Sequence, residues 1–227
     1  MTHERRIADL LIDWYGNNGR EYPWRKNRAP YKILIAEIML QRTKADQVAP
    51  VYLSFLKEFP DSERLSQASK EEIAGYFSKL GLIRRAGLIE SLGKELLARF
   101  GGKVPKSREE LMSLPSVGEY MTDAVLCFAF GEDVAVVDSN VCRIIGRIFD
   151  LKAKGEARRD PQFRQAVNKL LPSGKAKQFN WAIIDLGASI CTPRKPSCNE
   201  CPVSSICHFG RIMMQGDLPQ LKSLGKS

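Results

Sequence analysis

Four cysteines near the end of the chain constrain its fold more than any other feature. Cys191, Cys198, Cys201 and Cys207 follow the spacing C-x6-C-x2-C-x5-C. Pro193, Pro196 and Pro202 lie between them and bend the chain into tight turns, so four thiolates can converge on one metal centre. Metal bound there would add folding free energy to a stretch with little apolar content of its own. A structural zinc site usually presents two close pairs, C-x2-4-C twice. Only one C-x2-C occurs here, and the wide flanking gaps suit a larger [4Fe–4S] cubane, with zinc as the alternative. Histidine offers little substitute, because the chain has only His3 and His208. Disulfides are not expected: no signal-peptide pattern opens the chain, and Cys127 and Cys142 sit in apolar helical stretches as core residues.

Charge points to the partner. Lys plus Arg outnumber Asp plus Glu by 35 to 26, a net +9. Four thiolates around a 2+ core would leave about +7. Both signs are mixed along the chain, which suits a polyanion partner better than a basic tail does. A hydrophobic content of 44% supports a true core in 227 residues, as one large domain or two small ones sharing a cleft. No apolar run approaches the ~20 residues needed to span a bilayer. No membrane partner is therefore expected, and a cytoplasmic, nucleoid-associated place in the cell is.

Helical periodicity dominates. Ile7, Leu10, Leu11 and Trp14 form a stripe over about 4–16, ended by Gly16. A turn-rich stretch over 21–30 precedes a strongly apolar helix predicted over 31–43. Further amphipathic helices are predicted near 45–58, 70–79, 83–99, 107–113, 119–130, 139–149, 162–171 and 178–190. The short run Ala135-Val136-Val137 has strand character but no partner in view, and reads as a connector. The prediction is an all-α chain of about ten helices, with the cysteine loop closing its C-terminal end.

The stretch Leu114-Pro115-Ser116-Val117-Gly118 is the second informative one. A short turn between the 107–113 and 119–130 helices makes a helix-hairpin-helix, or else an ordinary helical corner. Gly118 lets the backbone approach a ligand closely, and the next helix presents free N–H groups to an anion. Contacts of that kind grip a DNA phosphate without reading sequence.

At this point the chain resembles the endonuclease III / MutY superfamily of DNA glycosylases, over almost its whole length. The marks are Tyr22-Pro23-Trp24-Arg25, Pro30-Tyr31, the run Glu37 to Thr43, the hairpin 114–118, Val137-Asp138-Ser139-Asn140 with Arg143, and the cysteine loop. The resemblance implies two α-helical domains with DNA bound across the cleft between them. Residues 25–133 would be a six-helix barrel domain carrying the hairpin, and 1–24 with 134–227 a cluster domain built from both chain ends. It also implies a [4Fe–4S] cluster on Cys191, Cys198, Cys201 and Cys207, and a monomer acting on double-stranded DNA with a mismatched or damaged base.

Three residues would carry the chemistry. Asp138 starts the 139–149 helix and is an N-cap by position. The resemblance adds a catalytic role: stabilising the oxocarbenium-like sugar or orienting water, by analogy with sugar hydrolysis. Glu37 falls between Ile33, Leu34 and Leu40 on its helix, with Gln41 one turn on. A carboxyl among apolar neighbours tends towards a raised pKa, which suits a group that protonates a departing base. The bland alternative is a rim glutamate paired with an arginine. Endonuclease III lacks an acid there, whereas adenine glycosylases and thymine mismatch glycosylases have one.

Tyr120 narrows the branch. Two positions after the hairpin glycine, endonuclease III has a lysine that forms a Schiff base and supports strand cleavage. A phenol cannot do so. MutY-type enzymes usually have serine there, and tyrosine looks like the MIG-type thymine/uracil mismatch glycosylases, as a catalytic group or only a pocket wall. Gln41 and Arg42 would fill the gap left by the flipped nucleotide and contact the widowed base, Arg42 suiting guanine. Arg84 and Arg85, with Lys175 and Lys177, are candidate phosphate contacts, as are the hairpin residues Leu114, Ser116, Val117 and Gly118. Adenine glycosylases usually carry a further C-terminal domain, and the chain ends some twenty residues after Cys207. The expected activity is thus monofunctional removal of thymine or uracil opposite guanine. A minimal adenine glycosylase and a non-catalytic damage-binding protein remain the alternatives.

Overall fold

The computed structural model describes residues 2–215. Among them the regular structure is entirely helical, with no strand. The α-helices in chain order are α1 His3–Asn18, α2 Pro30–Leu40, α3 Ala45–Glu58, α4 Ser62–Ser66, α5 Lys70–Phe77 and α6 Ala86–Phe100. They continue as α7 Arg108–Ser113, α8 Glu119–Phe128, α9 Ser139–Phe149, α10 Pro161–Leu170, α11 Ala176–Ser189 and α12 His208–Met214. Two compact units result, one of Glu21–Glu132 and one of Met1–Arg20 with Asp133–Ser227.

In the unit Glu21–Glu132, α2 is the central element. Nearly all its side chains are buried, from Tyr31 to Met39, and it packs on α3 and α8. A helix that is apolar all round has to be covered on every side. Pro30 at its first turn suits a fixed φ and an N–H the helix does not need. The predicted helix over 31–43 stops earlier, at Leu40. Gln41 turns extended, and Arg42 sits in the left-handed region at φ 60°. Both residues therefore lie in the turn beyond the helix.

The other unit is built round α9, whose apolar face joins one core of Ile7, Leu11, Ile145, Phe179 and Ile183. Helices α1, α10, α11 and α12 supply the walls. Arg20, just past α1, ties the chain back to α11. Its backbone N–H and its Nε each donate to the buried Asp185 carboxylate at 2.9 Å.

Two helices escape sequence periodicity. Helix α4 is only five residues long, too short to show a repeat, and forms because Asp61 caps the Arg64 N–H at 2.8 Å. Helix α12 begins directly after the last cysteine, with the Cys207 sulfur accepting from the Gly210 N–H at 3.4 Å. The connector at 135–137 is as expected, and its backbone is paired by a side chain. Asn180 of α11 accepts from the Val136 N–H at 3.0 Å and donates to the Val134 carbonyl at 2.8 Å. A single buried amide thus supplies what a neighbouring strand would have given.

Replacing Asn180 by Leu strands both backbone groups in the core. We expect a loss of about 1–3 kcal/mol in unfolding free energy, read from urea denaturation. An unchanged midpoint would show that the connector draws its order from elsewhere.

Candidate functional site

The N-terminus of α9 holds the first cluster of functional groups. Asp138 caps it, with Oδ1 accepting from the Val141 N–H at 2.7 Å. Its Oδ2 accepts from Asn140 Nδ2 at 2.9 Å. Asn140 Oδ1 accepts from Arg143 at 2.8 Å, and the same guanidinium donates to the Gly187 and Cys191 carbonyls at 2.9 and 3.0 Å. A continuous chain of hydrogen bonds therefore runs from the Asp138 carboxylate to the first cysteine of the loop. Burial lowers the Arg143 pKa; Cys191 and Asp138 oppose that, and Arg147 adds to it. Helix α11 comes close to α9 here at Gly187, where an added Cβ would press on Asn140 and Ile144 at 3.1 Å.

The cysteine loop is a succession of turns. The Ser197 N–H donates to the Ile190 carbonyl at 3.0 Å, the Cys201 N–H to the Cys198 carbonyl at 3.2 Å, and the Thr192 hydroxyl to the Lys195 carbonyl at 2.6 Å. All four sulfurs line one pocket, walled by Ile144 and Ile148 of α9 and by Ile190. Burial pushes the Cys201 thiol up to about 12, and the nearby sulfurs of Cys191, Cys207 and Cys198 add to it. Burial likewise raises Cys198 and Cys207. Four thiolates so close stay deprotonated only against a cationic core, so loading the site releases protons.

The donor set fits a cluster. The pocket lining offers four cysteines to a metal and no imidazole or carboxylate among the described residues. A lone zinc at ~2.3 Å from each sulfur would need the thiolates nearly in mutual contact. A cubane, with an iron facing each thiolate, holds them further apart. The pocket also contains a buried donor with no acceptor among the described residues, Arg147 Nε, which suits an anionic group.

In the unit Glu21–Glu132 the hairpin and α2 form a second group. Helix α7 ends at Ser113 with Leu114 as its C-cap, Ser116 takes the left-handed conformation at φ 67°, and Gly118 is the N-cap of α8. The positive φ therefore falls on Ser116, while Gly118 has φ −113° and an added Cβ there would meet nothing within 4 Å. Among the described residues nothing requires a glycine at 118. The Leu114 and Val117 side chains are buried, so any contact they make with a ligand runs through the backbone. The Val117 N–H is already used on the Leu114 carbonyl at 3.2 Å. Helix α8 starts without a side-chain cap hydrogen bond.

Glu37 is buried at 4% exposure on α2, and α2 packs on α8. Gln41, one turn beyond, donates from Nε2 to the Met121 sulfur at 3.0 Å. This places the end of α2 beside the first turn of α8, where Tyr120 lies half-buried. Arg42 and Arg84 are exposed, and Arg85 feels the charge of Arg42 after its own burial, both lowering its pKa. In the other unit Lys175 is exposed and Lys177 lies 4.6 Å over the Trp181 ring. Sequence periodicity gave no role to Arg147. The signal was its position one turn beyond Arg143, on the same helix face.

Residues 35–172 match the family described as HhH-GPD superfamily base excision DNA repair protein. Residues 191–207 match the iron-sulfur binding domain of endonuclease III. The chain is 36% identical to a thymine/uracil-DNA glycosylase of Methanothermobacter thermautotrophicus, over 92% of its own length and 96% of the relative's. It is 38% identical to a thymine-DNA glycosylase of Aeropyrum pernix, over 88% and 92% of the two chains. A solved structure of a thermostable thymine-DNA glycosylase superposes with a TM-score of 0.86 at 34% identity, covering 92% of this chain and 97% of that one. The chain belongs to the helix-hairpin-helix superfamily of base excision DNA repair proteins. Its cofactor is a [4Fe–4S] cluster, and DNA is its partner.

Removing one sulfur tests the pocket as the seat of the cofactor. Cys201→Ala is expected to purify with far less iron per chain and without broad visible absorption, read by iron analysis and spectroscopy. Wild-type iron content in that variant would place the cluster elsewhere.

Proposed function

We propose that this protein is a monofunctional DNA glycosylase that removes thymine or uracil mispaired with guanine, by hydrolysing the N-glycosidic bond. The observation that carries the proposal is Tyr120, two positions after the hairpin glycine in a chain that matches thymine/uracil-DNA glycosylases along nearly its full length. A phenol there leaves the strand-cleaving amine without a place. The natural task is repair of deaminated cytosine or 5-methylcytosine.

The target pyrimidine is flipped out of the duplex and read in a pocket. Asp138 acts on the sugar. Each of its oxygens accepts one hydrogen bond, and a carboxylate has further lone pairs to offer. The carboxylate is thus held in place by its capping bonds and still free to stabilise the sugar cation or align water. Glu37 and Tyr120 engage the base. Gln41 and Arg42 contact the widowed guanine, and Arg84 with the hairpin of Leu114, Ser116, Val117 and Gly118 lies against the phosphate backbone. Cys191, Cys198, Cys201 and Cys207 ligate the cluster. The unit Glu21–Glu132 takes the part of the barrel domain and the other that of the cluster domain, in a protein that works as a monomer.

A base-release panel over T:G, U:G and A:8-oxoguanine duplexes decides the substrate. Release of thymine and uracil is expected, and activity on the last duplex alone would sink the proposed specificity. Asp138→Asn should slow base release by roughly 10²–10³-fold while mismatch binding persists. Borohydride treatment on substrate DNA should trap no covalent adduct; efficient trapping would mean that another lysine serves as nucleophile.

The hairpin glycine makes a separate case. Because a Cβ at 118 meets only open space within the protein, Gly118→Ala should cost less than about 1 kcal/mol of stability. Its DNA affinity should nonetheless fall, since the added methyl stands where the phosphate backbone approaches. Unaltered affinity in a mobility-shift titration would remove the hairpin from the DNA contact.

A further inference from the structure

Arg147 is buried at 8% exposure, and its side chain lines the pocket shared by the four cysteines. Its NH1 donates to the Cys191 sulfur at 3.2 Å and to the Thr192 carbonyl at 2.7 Å, and its NH2 to the Pro193 carbonyl at 2.9 Å. All three bonds run to the cysteine loop, none to a carboxylate. The guanidinium also lies 4.8 Å from the Phe209 ring centroid, which shields it from water on that side. Its Nε–H is buried and has no acceptor among the described residues. Burying a permanent cation without a countercharge is costly, and so is leaving a buried N–H unmade. Both penalties vanish if an anion with acceptor atoms fills the pocket. A 2+ core held by four thiolates is a dianion with sulfur acceptors on its surface.

We propose that Arg147 is a positioning and tuning residue for the cofactor: it is the buried countercharge of the cluster, donating to the Cys191 sulfur and offering Nε–H to a second sulfur in the pocket. The inference rests on the [4Fe–4S] assignment. Hydrogen bonds and positive charge at the sulfurs stabilise the reduced form, so Arg147 holds the one-electron couple at a higher potential than the thiolates alone would set. It also fastens the loop by its carbonyl contacts, so it slows loss of iron.

The holoprotein and three variants test this: Arg147→Lys keeps the charge, Arg147→Gln keeps N–H donors without charge, and Arg147→Met removes both. Two readouts are needed, the rate at which visible absorption bleaches in the presence of an iron chelator and the midpoint potential of the loaded fraction at an electrode. In Arg147→Met we expect several-fold faster bleaching. At a fixed potential its oxidised-to-reduced ratio should rise about tenfold, which is a shift of ~59 mV to more negative values for one electron. Arg147→Lys should recover more of the potential than Arg147→Gln. A merely structural role would speed bleaching and leave the potential of the loaded fraction unmoved, and that result overturns the proposal. If Arg147→Met does not fold, judged by helical circular dichroism, the Lys and Gln variants carry the comparison, and equal wild-type potentials in both overturn it. A colourless wild type with stoichiometric zinc would instead defeat the cluster assignment on which the proposal stands.

Discussion

One helix face holds the cluster-bearing unit together. Arg143 and Arg147, one turn apart on α9, donate into the carbonyls of Gly187, Cys191, Thr192 and Pro193. Those carbonyls belong to the end of α11 and the start of the cysteine loop, a stretch whose own side chains bury little. Backbone carbonyls turned inward there need donors, and two fixed guanidinium forks supply them at several points each. The loop is shaped by α9 before any metal is considered. The same helix begins at Asp138, so its N-terminal carboxylate and the loop at its flank share one rigid element.

Burial also decides where the carboxyl of Glu37 lies. In the unit Glu21–Glu132, α2 is enclosed on all sides, which forces the carboxyl of Glu37 into the interior as well. A helix exposed on one face would have let that side chain reach water. The turn after α2 then brings Gln41 against Met121, beside Tyr120. Glu37 and Gln41 thus belong to the packed interior of this unit, whereas Asp138 caps a helix of the other.

Much of this was legible in one dimension. Long helices such as α3 and α9 appear within a residue of their periodic stretches, because an apolar stripe facing a core leaves a strong repeat. The short α4 and α12 were not legible, since each is fixed by a cap: a carboxylate in one case and a cysteine sulfur in the other. The early stop of α2 at Leu40 was hidden too, because leaving a helix through a left-handed arginine has no signature in composition. At the hairpin, sequence reasoning read Gly118 as the point of close approach to a ligand, and the left-handed residue of the turn is Ser116. What glycine contributes there is open space above the turn.

The sequence by itself determined the helical class, the spacing of four thiol ligands, the hairpin turn, and the residue types at Glu37, Tyr120 and Asp138. These are local properties: periodicity, proline and glycine punctuation, and chemistry that travels with a side chain. Only the tertiary structure decided which polar groups meet. It joined Asp138 to Cys191 through Asn140 and Arg143, paired Asn180 with a connector far along the chain, and drew Arg147 into the cysteine pocket with one donor still unused. Such contacts cross dozens of residues, and a buried donor finds its acceptor by where the core lets the chain return. No spacing rule contains that information.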